Sequence, residues 1–267
     1  MISFDMEIFI YVLTGLTAGF IAGLFGVGGG LVAVPALVLT FHRLGYSAES
    51  MMQTAIGTSL AAMILTSGAS AWAHQRQKGV EWGICLSLAP GVVLGAITGA
   101  VIAHLLHKGE LKNLFGAFLC MIGVYFLMTA HVREREKGRI PNRPKMIVSG
   151  FVIGILSSIL GIGGGIITVP LLTFYGRPLK NSISTSAVIG FFIAIIGALS
   201  FIYLGLHQEI SKQSFGYVYL PAFMIIGLTA MLTAPLGARY AYSTSTPLLK
   251  RLYGLLLLLT GISMLQF

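Results

Sequence analysis

Two runs of glycine mark places where backbone rather than side chain could do chemistry. Gly28, Gly29 and Gly30 close the segment Leu24-Phe25-Gly26-Val27-Gly28-Gly29-Gly30, and Gly163, Gly164 and Gly165 close Ile159-Leu160-Gly161-Ile162-Gly163-Gly164-Gly165. Contiguous glycines cover every face of a helix, so packing along one face does not account for them. Glycine admits positive φ, and a bare turn followed by a half-helix offers amide donors and the positive end of a dipole to an anion. A polar patch follows each cluster: Gln53, Thr54, Thr58 and Ser59 after the first, and Asn181, Ser182, Ser184, Thr185 and Ser186 after the second. Hydroxyls in apolar helices commonly bond back to a carbonyl of the preceding turn. Their recurrence after both clusters points instead to a shared lining. The candidate substrate-binding set is therefore Gly28, Gly29, Gly30, Gly163, Gly164, Gly165, Thr58, Ser59, Thr185, Ser186, Gln53 and Asn181.

Other chemistries lack their residues. The apolar runs carry no Asp, Glu, Lys, Arg or His in their interiors, whereas proton relays and cation pathways usually do. His74, His104 and His107 stand at run ends, where ordinary interfacial residues are expected, so any pH dependence should follow the substrate's own protonation. There is no HExxH motif, no paired aspartate within a run and no histidine placed to activate a buried serine, so no enzyme is expected. Cys85 and Cys120 stand singly and read as small apolar fillers, with no metal and no cofactor. A nucleotide loop would need a βαβ unit that these runs cannot contain.

The elements that must position the glycines are membrane helices. Of 267 residues 56% are hydrophobic and 9% charged, with a mean hydropathy of +0.89. Soluble domains carry about 25% charged residues. Uncharged runs cover 8–41, 50–73, 82–103, 113–130, 146–176, 181–206, 213–238 and 252–267, and roughly 20 apolar residues cross a bilayer. The net charge of +9 sits between these runs as orientation signals, so the expected partners are lipid and a small anion, with no nucleic acid; a homo-oligomer stays open. The first run follows Asp5 and Glu7 and is too long for a signal-peptide core, so no cleaved signal is expected.

The chain is duplicated. Gly15, Gly19 and Pro35 recur at an offset of 135 as Gly150, Gly154 and Pro170, and Gly57-Thr58-Ser59 aligns with Ser184-Thr185-Ser186. Further on, Leu111-Lys112-Asn113-Leu114-Phe115-Gly116 aligns with Leu249-Lys250-Arg251-Leu252-Tyr253-Gly254. The expected organisation is a first transmembrane repeat over 7–130, a cytoplasmic linker over 131–144 and a second repeat over 145–267. Each repeat opens with a run of awkward length: 8–41 would be about 51 Å long as one helix. The glycines should break it into a re-entrant hairpin, with Pro35 and Pro170 bending the returning arm. If both broken runs return to their starting side, 13 of the 17 Lys and Arg share a side with the linker and only Arg43, Lys108, Lys112 and Lys212 lie opposite. The positive-inside rule then puts the linker in the cytoplasm and both termini outside the inner membrane. Three further crossings per half invert the halves relative to each other. Trp72, Trp82, Tyr240 and Tyr242 fit interfacial anchors. Gly15, Gly19, Gly23, Gly150 and Gly154 have small-xxx-small spacing and should only pack helices, so Gly15→Ala should affect flux far less than leucine at Gly29 or Gly164.

The doubled GxGGG core with a proline five residues on, the four-run halves and the LKxxxG motif opening each final run resemble the sulfite exporter TauE/SafE family over essentially the whole chain. The resemblance implies an integral-membrane permease for small sulfur oxyanions or organosulfonates such as sulfite, usually exporting them. Alternatives are transport of another inorganic anion or a metal ion, or a non-transport intramembrane enzyme or assembly factor.

Overall fold

The computed structural model describes residues 4–45, 50–106, 108–130, 141–208 and 210–266. Its helices are α1 (Phe4–Phe25), α2 (Gly30–Arg43), α3 (Met51–Arg76), α4 (Trp82–Leu105), α5 (Lys108–Met128), α6 (Arg143–Leu160), α7 (Gly165–Phe174), α8 (Leu179–Gly205), α9 (Leu220–Ser243) and α10 (Thr246–Gln266). Eight are long and apolar enough to cross a membrane; α2 and α7 are shorter. The protein is thus the all-α polytopic membrane protein expected. One small departure lies before α9, where Ser214–Phe215 (β1) pairs antiparallel with Val218–Tyr219 (β2). The apolar run there is interrupted by Gly216 at φ 56, which turns the chain before the helix begins at Leu220. Most of the 131–144 linker and His107 lie outside the described residues.

Both helix breaks fall at the glycines. Gly26, Gly28 and Gly29 have φ of 68, 75 and 89°, and Gly161 and Gly164 have φ of 66 and 39°, a region that costs other L-residues roughly 1–2 kcal/mol. After the first break the chain folds back. Ile10 near the start of α1 lines a cavity with Thr40 and Arg43 at the end of α2. Tyr219 touches both ends as well, its ring edge-on to Phe41 and its hydroxyl 3.2 Å from Glu7 Oε1.

Small residues let the helices pack backbone to backbone. Along α1, Gly15, Gly19 and Gly23 face Ile226, Ala230 and Ala234 of α9; along α4, Gly91, Gly95 and Gly99 face Ile147, Phe151 and Ile155 of α6. Both pairs run parallel. The packing role expected of Gly15 is tight: an added Cβ would collide with Thr229 Oγ1 and stand 2.7 Å from the Ile226 carbonyl oxygen, so alanine there strains the seam. At the centre α3 and α8 run antiparallel, His74 near the end of α3 meeting Ser184 near the start of α8, while Gly57 and Gly205 both abut Tyr217. Large apolar side chains such as Leu86, Leu94, Leu199, Leu232 and Leu259 are exposed, as a lipid-facing surface requires.

Candidate functional site

The two breaks touch. The Gly163 amide donates to the Val27 carbonyl at 3.0 Å. A Cβ on Gly28 would lie 3.2 Å from Gly163 Cα, one on Gly30 would strike the Gly161 carbonyl, and one on Gly165 would stand 2.5 Å from the Gly26 carbonyl. Only glycine permits this approach. Met63, halfway along α3, covers Gly28, Gly30 and Gly163, while Ile189, Gly190 and Ile193, halfway along α8, lie against Gly163 and Gly164. The junction therefore sits at the mid-depth of both central helices.

The recurring hydroxyls tie the halves together crosswise. Ser59 of α3 donates to the Gly161 carbonyl at 3.1 Å, and Ser186 of α8 reaches the Gly26 carbonyl at 3.1 Å while also approaching Ile183. Thr58 accepts from the Tyr219 amide at 2.9 Å and Thr185 from the Glu81 amide at 3.1 Å. Tyr219 and Glu81 precede α9 and α4, so each threonine satisfies an orphan donor at the start of a helix in the other half. Of the remaining candidates, Gln53 donates to Ala103 and Leu106 at the end of α4, and Asn181 lies partly exposed on the first turn of α8. Neither reaches the junction.

Among the described residues, three buried hydroxyls near the breaks have no hydrogen-bond partner: Ser67, Ser158 and Thr168. Ser67 Oγ lies 2.8 Å from where a Gly28 Cβ would be, and Thr168 Oγ1 lies 3.5 Å from the equivalent point on Gly164. Ser158 stands one turn before Gly161. Buried polar groups are overwhelmingly hydrogen-bonded, so three free ones need a reason. The amides differ between the breaks too. Gly163, Gly164 and Gly165 donate to Val27, Ile162 and Gly163, while among the described residues the amides of Val27, Gly28 and Gly29 make no backbone hydrogen bond.

Polar layers flank the junction at both ends of α3 and α8. At one end Tyr217 shares a hydrogen bond of 3.0 Å with His104 Nδ1, and burial raises its phenol above the usual range, so it stays neutral. At the other end His74, Ser184 and Tyr242 form a chain of hydrogen bonds, beside an Arg177–Glu81 ion pair of 3.4 Å. His74 is not the interfacial residue expected of a run end: it is fully buried. Tyr242 likewise faces Ser184, whereas Trp72, Trp82 and Tyr240 are exposed as anchors should be, with Arg76 stacked 4.0 Å above Trp72. A signal for the missed residues exists in the sequence. Ser59, Met63, Ser67, Ser70 and His74 recur at helical spacing and mark one face of α3.

Broken helices meeting at the mid-depth of a bundle in which eight helices are long and apolar enough to cross a membrane define a multi-pass membrane protein of the transporter class. The chain belongs to the sulfite exporter TauE/SafE family, whose profile matches residues 11–264. A probable membrane transporter protein of Haemophilus influenzae is 35% identical over 263 residues, covering 96% of this chain and 97% of that one. Another from Methanocaldococcus jannaschii is 27% identical over 257 residues, covering 96% and 94%. No solved structure matches.

Proposed function

We propose that this transporter moves a small sulfur oxyanion or organosulfonate, such as sulfite, outward across the inner membrane without altering it chemically. The observation that carries the reading is the junction itself: among the described residues the amides of Val27, Gly28 and Gly29 make no backbone hydrogen bond, the unpartnered hydroxyl of Ser67 lies by Gly28, and that of Thr168 lies by Gly164. Such neutral donors suit a compact anion that must also leave. The two halves act as inverted repeats, 7–130 and 145–267, a reading that the antiparallel course of α3 and α8 supports. In the structure described, the breaks are in contact, so the anion enters when one repeat rocks against the other. Purified protein in liposomes should carry sulfite or methanesulfonate down a gradient and release it unchanged. Absence of flux for both anions from folded protein would end the reading.

The orientation has its own test. The charge division places Asn142 inside and Ser211, in the loop after α8, outside. In a variant with Cys85 and Cys120 replaced by alanine, Ser211→Cys should react with an impermeant thiol reagent on intact cells and Asn142→Cys should not. The reverse pattern would invert the topology.

A further inference from the structure

The buried imidazole of His74, in the layer beside the junction, is a titratable group that transport through neutral donors leaves unused. Its Nε2 lies 2.8 Å from the carbonyl oxygen of Gly23, and its Nδ1 lies 3.2 Å from Ser184 Oγ. Ser184 Oγ is also 2.7 Å from Tyr242 OH and 2.7 Å from the Lys180 carbonyl oxygen. Hydrogens can be counted through this chain. A carbonyl only accepts, so Nε2 carries a hydrogen. With a neutral ring, Nδ1 is then a bare acceptor that takes the hydrogen of Ser184, Tyr242 donates to Ser184, and the Lys180 carbonyl keeps the helical amide donor of α8, so every partner is met. With a protonated ring, Nδ1–H donates to Ser184, Tyr242 donates to Ser184, and Ser184 donates to Lys180. Every partner is again met. The network thus has room for one more proton than the neutral ring supplies.

Among the described residues no unpaired negative charge faces it. From α1 only the Gly23 carbonyl faces the ring. From α8 come Ser184 and Lys180, whose Nζ is turned to the Tyr242 carbonyl, and from α9 comes Tyr242. On α3 itself Arg76 stacks on Trp72. Glu81 is engaged with Arg177. A buried cation without a counter-ion is disfavoured by desolvation. Gly23 lies on the last turn of α1, immediately before the first break.

We propose that His74 binds a proton together with the transported anion, its imidazolium supplying the positive charge that the glycine junction lacks. The proton adds to Nδ1 from the aqueous side, and the hydrogen of Ser184 turns to Lys180. By reciprocity, the anion strengthens proton binding by the same factor that the proton strengthens anion binding. This rests on the anion-transport reading above.

Methanesulfonate, which stays ionised across the range, is the probe. In weakly buffered detergent solution, wild-type protein should bind up to about one proton per anion between the free-state and the anion-bound titration of His74, and over that window its affinity should fall by up to about tenfold per unit rise in pH. His74→Gln keeps a donor toward Gly23 and an acceptor toward Ser184, and should bind with no proton uptake and a flat pH profile. Binding by wild type without proton uptake, or uptake that persists in His74→Gln, overturns the proposal while leaving transport intact. If folded wild type neither binds nor carries methanesulfonate or sulfite at any pH, the transport reading falls and the proton proposal falls with it.

Discussion

Replacing Gly29 or Gly164 by leucine is expected to abolish anion flux while the protein still enters the membrane. Both residues occupy positive φ, at 89 and 39°, and both cap the half-helix that opens the junction. A Cβ at Gly29 would lie 3.1 Å from the Ala18 carbonyl oxygen, and one at Gly164 would lie 2.8 Å from Ile193 Cδ1. The strain of left-handed backbone is roughly 1–2 kcal/mol, too little to unfold a bundle of this size. The leucine side chain, in contrast, occupies the space an anion needs. Milder Gly29→Ala and Gly164→Ala variants should retain a fraction of the flux, since they add strain with little bulk. Well-expressed leucine variants that transport normally would make these turns packing features, and the site would lie elsewhere.

The opposite outcome is expected at Gly19, where leucine should remove folded protein altogether. There an added Cβ collides with the Ala230 carbonyl and lies 2.6 Å from Ala230 Cα, so the whole α1–α9 seam must open. Overpacking of this kind costs about 1–3 kcal/mol even for a single methylene, and leucine adds far more. Gly15→Ala should lower the melting midpoint measurably in detergent. Gly83→Ala supplies the benign control, because nothing lies within 4 Å of its Cβ position. Equal stability of Gly15→Ala and Gly83→Ala would mean that the α1–α9 contact is looser than the structure shows.

The breaks were legible because contiguous glycines and an overlong apolar run are local signals, and the structure puts left-handed backbone at both clusters. The binding hydroxyls were less so. Recurrence singled out Thr58, Ser59, Thr185 and Ser186, and the structure gives these a repeated task, holding carbonyls and amides of the other half. The unpartnered Ser67, Ser158 and Thr168 align with Ala194, Gly23 and Ala33, so a search for recurrence passes over them. His74 was discounted for its place near a run end. Its burial depends on Gly23, Ser184 and Tyr242, contributed by three other helices, and no local pattern reports that.

The parallel seam between α1 and α9 also bears on how the protein is made. Gly19 and Ala230 are 211 residues apart, whereas Gly95 and Phe151, which join α4 to α6, are 56 apart. At about 5–20 residues per second, a ribosome reaches Ala230 about 10–40 seconds after Gly19, and for that interval α1 sits in lipid or the insertion machinery with its glycine face bare. The α4–α6 pair closes several times sooner and waits as a half-built scaffold. A chaperone or a slow codon stretch that shelters α1 would therefore act on one of the later seams to form, followed by the α5–α10 contact in which Gly261 meets Cys120.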